Sequence, residues 1–327
     1  MSLLVRIVKD WGYPKELNLF DQTPGSAGLW EDIQFTDEEE GECDYLIVFR
    51  NPNRGIAANC REGGLWLISH EPPIERNRYF TKSFRHFDKV FSFYSSSKIT
   101  SEVTHPLIPW MVFKSYDELV VMDKSYAKRV KKIDELVWIT SNLRNTEGQN
   151  IRMDFKDYLT SRELKLNLFG KGFSEVKDKF DTMSPYKYAL AIENFSYPDY
   201  WSEKVVDCLL SYCLPFYWGA TNLEKYLPAK SFIRIDITKP KEAICIINDT
   251  IKQREWENRL EYIHDAREVI LNQHQFFPAL SMLIRKDLKQ RMVTDIKKRL
   301  IPANPLPISV KLLDRITYYK NKIFALN

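Results

Sequence analysis

Short, largely apolar runs punctuate the first hundred residues, at positions 3–8, 45–49, 65–68 and 90–93. Polar or Pro/Gly-bearing stretches separate them. Runs of this length bounded by turn formers predict buried strands. The second half shows a more regular alternation. Strand-like runs at 136–140, 166–169, 188–192, 214–218 and 232–235 are separated by stretches with helical spacing. Ile151, Phe155, Tyr158 and Leu159 share one helix face, and Val205, Val206, Leu209, Leu210 and Cys213 share another. Strand, helix, strand in succession is the pattern of parallel α/β sheets. Positions 240–253, 255–271 and 275–300 read as further helices, and 116–132 as a charged crossing between two halves.

At 327 residues the chain can form one or two ordinary domains. A hydrophobic share of 44% is that of a globular protein. The net charge of +4 comes from 48 basic and 44 acidic residues, too even a balance to argue for nucleic acid. The five cysteines are scattered and odd in number, which favours buried thiols over a disulfide framework. No apolar run approaches the roughly 20 residues of a membrane span. The first twelve residues turn charged too soon for a signal peptide. A cytoplasmic location is therefore expected. The acidic run 37–40 reads as a solvated loop.

Candidate chemistry concentrates where the run 188–192 gives way to a helix starting near Ser202. Glu193, Asn194, Tyr200, Glu203 and Lys204 all fall at that junction. Ligands of open α/β sheets bind at strand carboxyl ends, and a helix amino terminus suits phosphate. Ser202 is a candidate cap. A lysine in the first helical turn opposes the dipole, which makes sense if an anion is bound there. The plainer reading is a surface lysine beside a surface glutamate. In the first half, Glu71 follows a strand and precedes Pro72 and Pro73, a setting for a positioned base. It also fits a turn cap or a partner for Arg76 or Arg78, and His70 competes as base. In the second half, Arg152 lies in a first helical turn and Arg144 competes with it from the loop before; an arginine's planar fork suits phosphate, and a solvated helix arginine is the plainer reading. Gly170-Lys171-Gly172 is too short for a P-loop or a dinucleotide fingerprint. Neither a D-x-D triplet nor a zinc-type His/Cys spacing is present.

The run Ile192-Glu193-Asn194, then Asp199-Tyr200-Trp201-Ser202-Glu203-Lys204, then Pro215-Phe216-Tyr217-Trp218-Gly219, resembles the signature of family 10 glycosyltransferases, the α1,3/α1,4-fucosyltransferases. Asn222, Leu223, Glu224, Pro228 and Ser231-Phe232-Ile233 extend the match. Ile192, Ser202 and Trp201 depart from the usual Phe, Thr and smaller residue, and Trp201 is expected to reshape the sugar pocket. The resemblance implies a GT-B architecture, two Rossmann-like domains facing a cleft. Residues 1–130 would be the acceptor side with the base, 131–300 the nucleotide-sugar side, and 301–327 a basic amphipathic tail. It implies Glu71 as catalytic base, at the place of the family's Glu-Ser-Pro. Arg152, Glu193, Asn194, Tyr200, Ser202, Glu203 and Lys204 would form the donor site. The implied reaction moves L-fucose from GDP-β-L-fucose to a glycan hydroxyl with inversion, α-1,3 linkage being favoured, and with no obligatory metal or other cofactor. The partners are then a nucleotide sugar and a glycan, with no nucleic acid. The tail 310–324 either packs on the body or lies on the inner membrane face. Two other readings stay open: a different nucleotide-sugar donor on the same fold, and a non-catalytic glycan or nucleotide binder.

Overall fold

The computed structural model describes residues 3–9, 18–71, 79–95, 101–162, 164–290, 295–305 and 307–308. Pro72, Pro73, Arg76, Arg78 and the tail 310–324 lie outside the described residues.

Among the described residues, eight strands occupy the first third: β1 (Leu3–Lys9), β2 (Leu29–Trp30), β3 (Ile33–Thr36), β4 (Tyr45–Phe49), β5 (Ile56–Arg61), β6 (Leu65–Ser69), β7 (Lys89–Ser92) and β8 (Glu102–Val103). All but β5 form one sheet in the order β2-β3-β1-β4-β6-β7-β8. Every described pair in it is parallel except β2 with β3. All five residues of β4 and all five of β6 are buried, because both sheet faces are covered. That is why these strands read as continuous apolar runs rather than alternating ones. Tyr45, Ile47 and Phe49 belong to one core; Leu46 and Val48 belong to another on the opposite face.

Helices α1 (Tyr116–Val120) and α2 (Lys124–Arg129) follow. Ser115 and Glu118 cap α1 reciprocally. Packing changes from the first core to the second before these helices: Leu107 lies in the first, Trp110, Val112, Leu119 and Ala127 in the second. The crossing thus precedes the 116–132 stretch and the expected boundary at 130. Two buried carboxylates of the second half pin it. Asp207 Oδ1 accepts from the Met111 amide at 2.8 Å, and Asp178 Oδ1 from the Phe113 amide at 2.9 Å.

The second sheet contains β9 (Ile133–Ile139), β10 (Leu166–Phe169), β11 (Tyr186–Ile192), β12 (Leu214–Trp218) and β13 (Ile233–Arg234). Its order is β10-β9-β11-β12-β13, with all pairs parallel. Helices α3 (Glu147–Thr160), α4 (Lys179–Met183), α5 (Glu203–Leu210), α6 (Pro240–Lys252) and α7 (Glu255–Val269) accompany it. A π-helical turn (Ile270–His274) ends α7.

The chain then returns to the first sheet. Helix α8 (Phe276–Leu288) buries Phe276, Phe277, Ala279, Leu280 and Ile284 in the first core. The helix expected to run to 300 stops at Leu288, and β14 (Ile296–Ile301) is a strand instead. It pairs antiparallel with β5, and its Arg299 bonds Asp88 at 2.6 and 2.7 Å. Pairing along β5 satisfies backbone groups that a helix there would leave open. Residues 276–301 therefore pack with the first sheet rather than with the second, to which the 131–300 expectation assigned them. No described helix is long and apolar enough to cross a membrane.

Candidate active site

Strand β11 delivers Glu193 to the carboxyl edge of the second sheet, where its side chain is fully buried. A buried carboxylate needs partners, and it has them. Oε1 accepts from the Ser202 amide and hydroxyl at 2.8 Å each. Oε2 accepts from Lys204 Nζ at 3.0 Å. Gly219 makes the room: a Cβ there would stand 2.4 Å from Glu193 Cγ. Ser202 caps α5, accepting from the Lys204 amide at 3.4 Å. Both Glu193 oxygens are thus engaged, by Ser202 and Lys204. Burial alone would lower the Lys204 pKa, but Glu193 and Glu203 outweigh it and hold the ammonium charged. Burial alone would raise the Glu203 carboxyl, but Lys204 and Lys179 outweigh it and hold it at about 2.

Arg152 reaches the same edge from α3. Gly148 lets the first turn of that helix touch the end of β11, since a Cβ there would fall 1.7 Å from the Asn194 carbonyl oxygen. Arg152 is 4% exposed. Its Nη1 donates to Asn194 Oδ1 at 2.6 Å and its Nη2 to Ser141 Oγ at 3.3 Å. Its Nε has no partner, and no carboxylate among the described residues forms an ion pair with it. Burial pushes its pKa down. The competitor Arg144 is engaged elsewhere, on Asp154 at 2.6 Å and Asp157 at 2.7 Å. Both carboxylates belong to α3.

On the facing edge, Glu71 follows β6. Arg50, just past β4, donates from Nε to Glu71 Oε1 at 2.5 Å. Arg50 has φ +79°, in the left-handed region that L side chains seldom adopt. Its guanidinium lies 5.5 Å from the Phe80 ring centroid. His70 packs against Phe49, and burial pushes its pKa down to about 4, so it is neutral near pH 7.

A cavity of about 270 Å³ joins the two edges. Glu71, Arg50 and His70 line one side; Tyr200, Ser202, Glu203 and Lys204 line the other. Ile108 and Met111 of the crossing complete it. Arg152, Glu193 and Asn194 stand outside this lining. Tyr200 is largely enclosed by Phe93 at 4.8 Å and Phe195 at 6.0 Å, so its ring ties the second half to the first. Trp201 is not in the lining. It stacks on His105 at 4.9 Å and meets Tyr226 and His274, so the expected reshaping of the pocket by Trp201 gives way to a role in packing between the halves.

Arg50, Met111, Asp207 and Lys179 were not singled out from sequence. Arg50 carried a signal close to that of Glu71, a charged residue within two positions of the end of a buried strand. Asp207 lies one turn beyond Glu203 and Lys204 on α5, and accepts from Lys179 at 2.7 Å.

The human 4-galactosyl-N-acetylglucosaminide 3-alpha-L-fucosyltransferase 9 is 27% identical over 182 residues, 54% of this chain and 49% of that protein. The human 3-galactosyl-N-acetylglucosaminide 4-alpha-L-fucosyltransferase FUT3 is 26% identical over 237 residues, 68% of this chain and 61% of that protein. The chain spans about half the length of the first of these relatives. A crystal structure of an alpha1,3-fucosyltransferase with GDP-fucose superposes with a TM-score of 0.54 at 19% identity, covering 90% of this chain and 92% of that one. That likeness establishes the GT-B fold. The family model described as glycosyltransferase family 10 (fucosyltransferase), C-terminal part, matches residues 129–298. With more than half of its length under that model, the chain belongs to glycosyltransferase family 10.

Proposed function

We propose that the chain transfers L-fucose from GDP-β-L-fucose to a glycan hydroxyl, in α-1,3 linkage and with inversion. The lobe built on the first sheet takes the acceptor, and the lobe built on the second holds the donor. One observation carries this reading: Glu71 and the amino-terminal turn of α5, with Lys204, line a single cavity from opposite lobes.

In this reading a Glu71 oxygen removes the proton of the acceptor hydroxyl as that oxygen attacks the anomeric carbon. The bond from that carbon to the diphosphate breaks, and its electron pair leaves with GDP. A single displacement inverts the centre and needs one base. Charge growing on the diphosphate is met by Lys204, by the amide groups at the start of α5, and by Arg152. Arg152 is a buried cation without an ion-pair partner among the described residues, a costly state that a bound phosphate would relieve. Glu203, held ionised, accepts from sugar or ribose hydroxyls. Arg50 keeps the Glu71 carboxylate aimed.

The test is release of GDP from GDP-fucose, with and without N-acetyllactosamine-type and other galactoside acceptors. Acceptor-dependent release is expected. Glu71→Gln should lower kcat by about 10²–10⁴ while GDP-fucose still binds, and Lys204→Ala should weaken donor binding. Unchanged turnover in Glu71→Gln would remove Glu71 from the role of base. No release with any acceptor, together with tight binding of another nucleotide sugar, would overturn the choice of donor.

A further inference from the structure

His70 lines the cavity between the lobes, beside Glu71, yet takes no part in the displacement. Its place follows from the strand before it. Ile68 of β6 is the register partner of Phe49 of β4, and both side chains belong to the first core. Side chains two residues apart along an extended chain share a face. His70 therefore continues the row of Ile68, and its ring lies on Phe49 with centroids 4.8 Å apart and planes at 36°. Phe49 is itself braced edge to face by Phe276 at 5.2 Å. The imidazole has an aromatic wall on one side and the cavity on the other.

The two ring nitrogens differ. Neither forms a hydrogen bond among the described residues. Nδ1 is enclosed; Nε2 stays accessible, since the residue as a whole is only partly buried. A neutral imidazole carries one proton. On Nδ1 it would be a buried donor without a partner, the costlier arrangement. On Nε2 it meets the open side, so the accessible nitrogen is an N–H donor. Burial, opposed by Glu71 and aided by Arg50, holds the ring's pKa down at about 4. Neutrality matters beside a base: an imidazolium would stabilise the Glu71 carboxylate and weaken its hold on a proton. The neutral ring offers a donor without that penalty.

We propose that His70 is an acceptor-binding residue whose Nε2–H donates to a sugar oxygen on a carbon flanking the one whose hydroxyl reacts. The inference rests on the reading of Glu71 as the base. His70 and Glu71 are consecutive and line one cavity, and oxygens on neighbouring ring carbons are the closest pair a sugar presents to two such groups. The contact fixes how the acceptor ring is turned, and so which of its hydroxyls meets Glu71.

Two substitutions separate the contact from packing. His70→Phe keeps a flat ring against Phe49 and removes the donor, and His70→Gln returns an N–H. Probes are N-acetyllactosamine, reacting at the glucosamine 3-hydroxyl, and two analogues: hydrogen in place of the 2-acetamido group, and methylene in place of the 4-oxygen. In the wild type one analogue should lose about tenfold in kcat/KM, the worth of one hydrogen bond. His70→Phe should lose the same amount on N-acetyllactosamine, through acceptor KM with donor KM unchanged, and nothing further on that analogue. His70→Gln should recover most of the loss. Equal use of N-acetyllactosamine by wild type and His70→Phe, losses that multiply for both analogues, or a fall in kcat with acceptor KM unchanged would each overturn the contact. Turnover retained in Glu71→Gln, with the His70 pattern intact, would remove the base and leave the contact standing. Saturation-transfer NMR with N-acetyllactosamine alone reads the contact without donor. A signal weakened in His70→Phe and restored in His70→Gln upholds it even in a protein that never turns over GDP-fucose. Equal signals in all three proteins, or none in the wild type, overturn it.

Discussion

The Arg50 side chain holds Glu71 by a 2.5 Å bond from its Nε, and it does so from a left-handed backbone conformation. Strain of this kind at a non-glycine residue costs on the order of 1–2 kcal/mol and persists where function over-determines the geometry. Arg50→Gly should therefore separate stability from activity. Relief of strain offsets the lost, partly exposed ion pair and the added chain entropy of glycine. Unfolding free energy should stay within about 1 kcal/mol of wild type, read by urea denaturation. With the Arg50 hold on Glu71 removed, kcat should fall by about 10²-fold while donor KM holds. Wild-type turnover in this variant would show that Glu71 is aimed by something else.

Arg152 predicts a change of opposite sign in two measurements. Arg152→Met removes a buried guanidinium that lacks an ion-pair partner among the described residues. Keeping an unpaired charge out of water costs several kcal/mol, more than the two neutral hydrogen bonds that Arg152 makes return at about 1 kcal/mol each. The variant should melt higher than wild type without nucleotide, yet bind GDP at least tenfold more weakly, the loss expected for one charge-assisted contact. Calorimetry reads both. A variant that melts lower and binds GDP normally would make Arg152 a structural residue.

Gly148 tests the placement of α3. Any side chain at that position meets the Asn194 carbonyl at 1.7 Å, and the obstruction is backbone, which cannot swing aside. Gly148→Ala should cost roughly 1–3 kcal/mol through overpacking. It should also raise the donor KM, because the helix that carries Arg152 must move. An alanine variant with unaltered stability would contradict the close approach.

His105 gives the pH dependence. It is 6% exposed, stacked on Trp201, with its Nδ1 accepting from the Leu107 amide at 3.2 Å. Burial, and then His274, push its pKa down to about 3, Lys225 adding to this and Asp199 opposing it. Unfolded histidine titrates near 6.5. Between those values the unfolded chain binds the extra proton, so stability rises with pH there. The contribution is complete above about pH 6.5 and is lost as pH falls toward about 3. One histidine contributes at most about 1.4 kcal/mol per pH unit in that window. His105→Gln should flatten the dependence of melting temperature on pH between 4 and 6.5, compared with wild type. Parallel curves would rule His105 out as a source.

What was legible in the sequence was local. The runs at 45–49 and 65–68 announced themselves as strands because both sheet faces bury them. The Glu193 to Lys204 junction was readable because strand end, cap and first turn follow one another along the chain. Contacts between distant segments were not readable. Nothing near Met111 indicates that Asp207, 96 residues away, takes its amide proton. Nothing in Arg50 announces its backbone angle. The stretch 296–300, the end of the expected 275–300 helix, has lysines and an isoleucine that fit either period; only the pairing along β5 decides for a strand.

The return of α8 and β14 to the first sheet has a bearing on how the molecule is made. Emerging from the ribosome, the first lobe lacks Phe276, Phe277, Leu280 and Ile284 for its core until the second lobe has been synthesised. The second lobe, contiguous from Trp110 to Leu271, holds its core residues complete before that moment. A stop codon shortly after residue 275 would thus leave Glu71 beside a sheet that lacks these side chains, next to a second lobe whose core is whole.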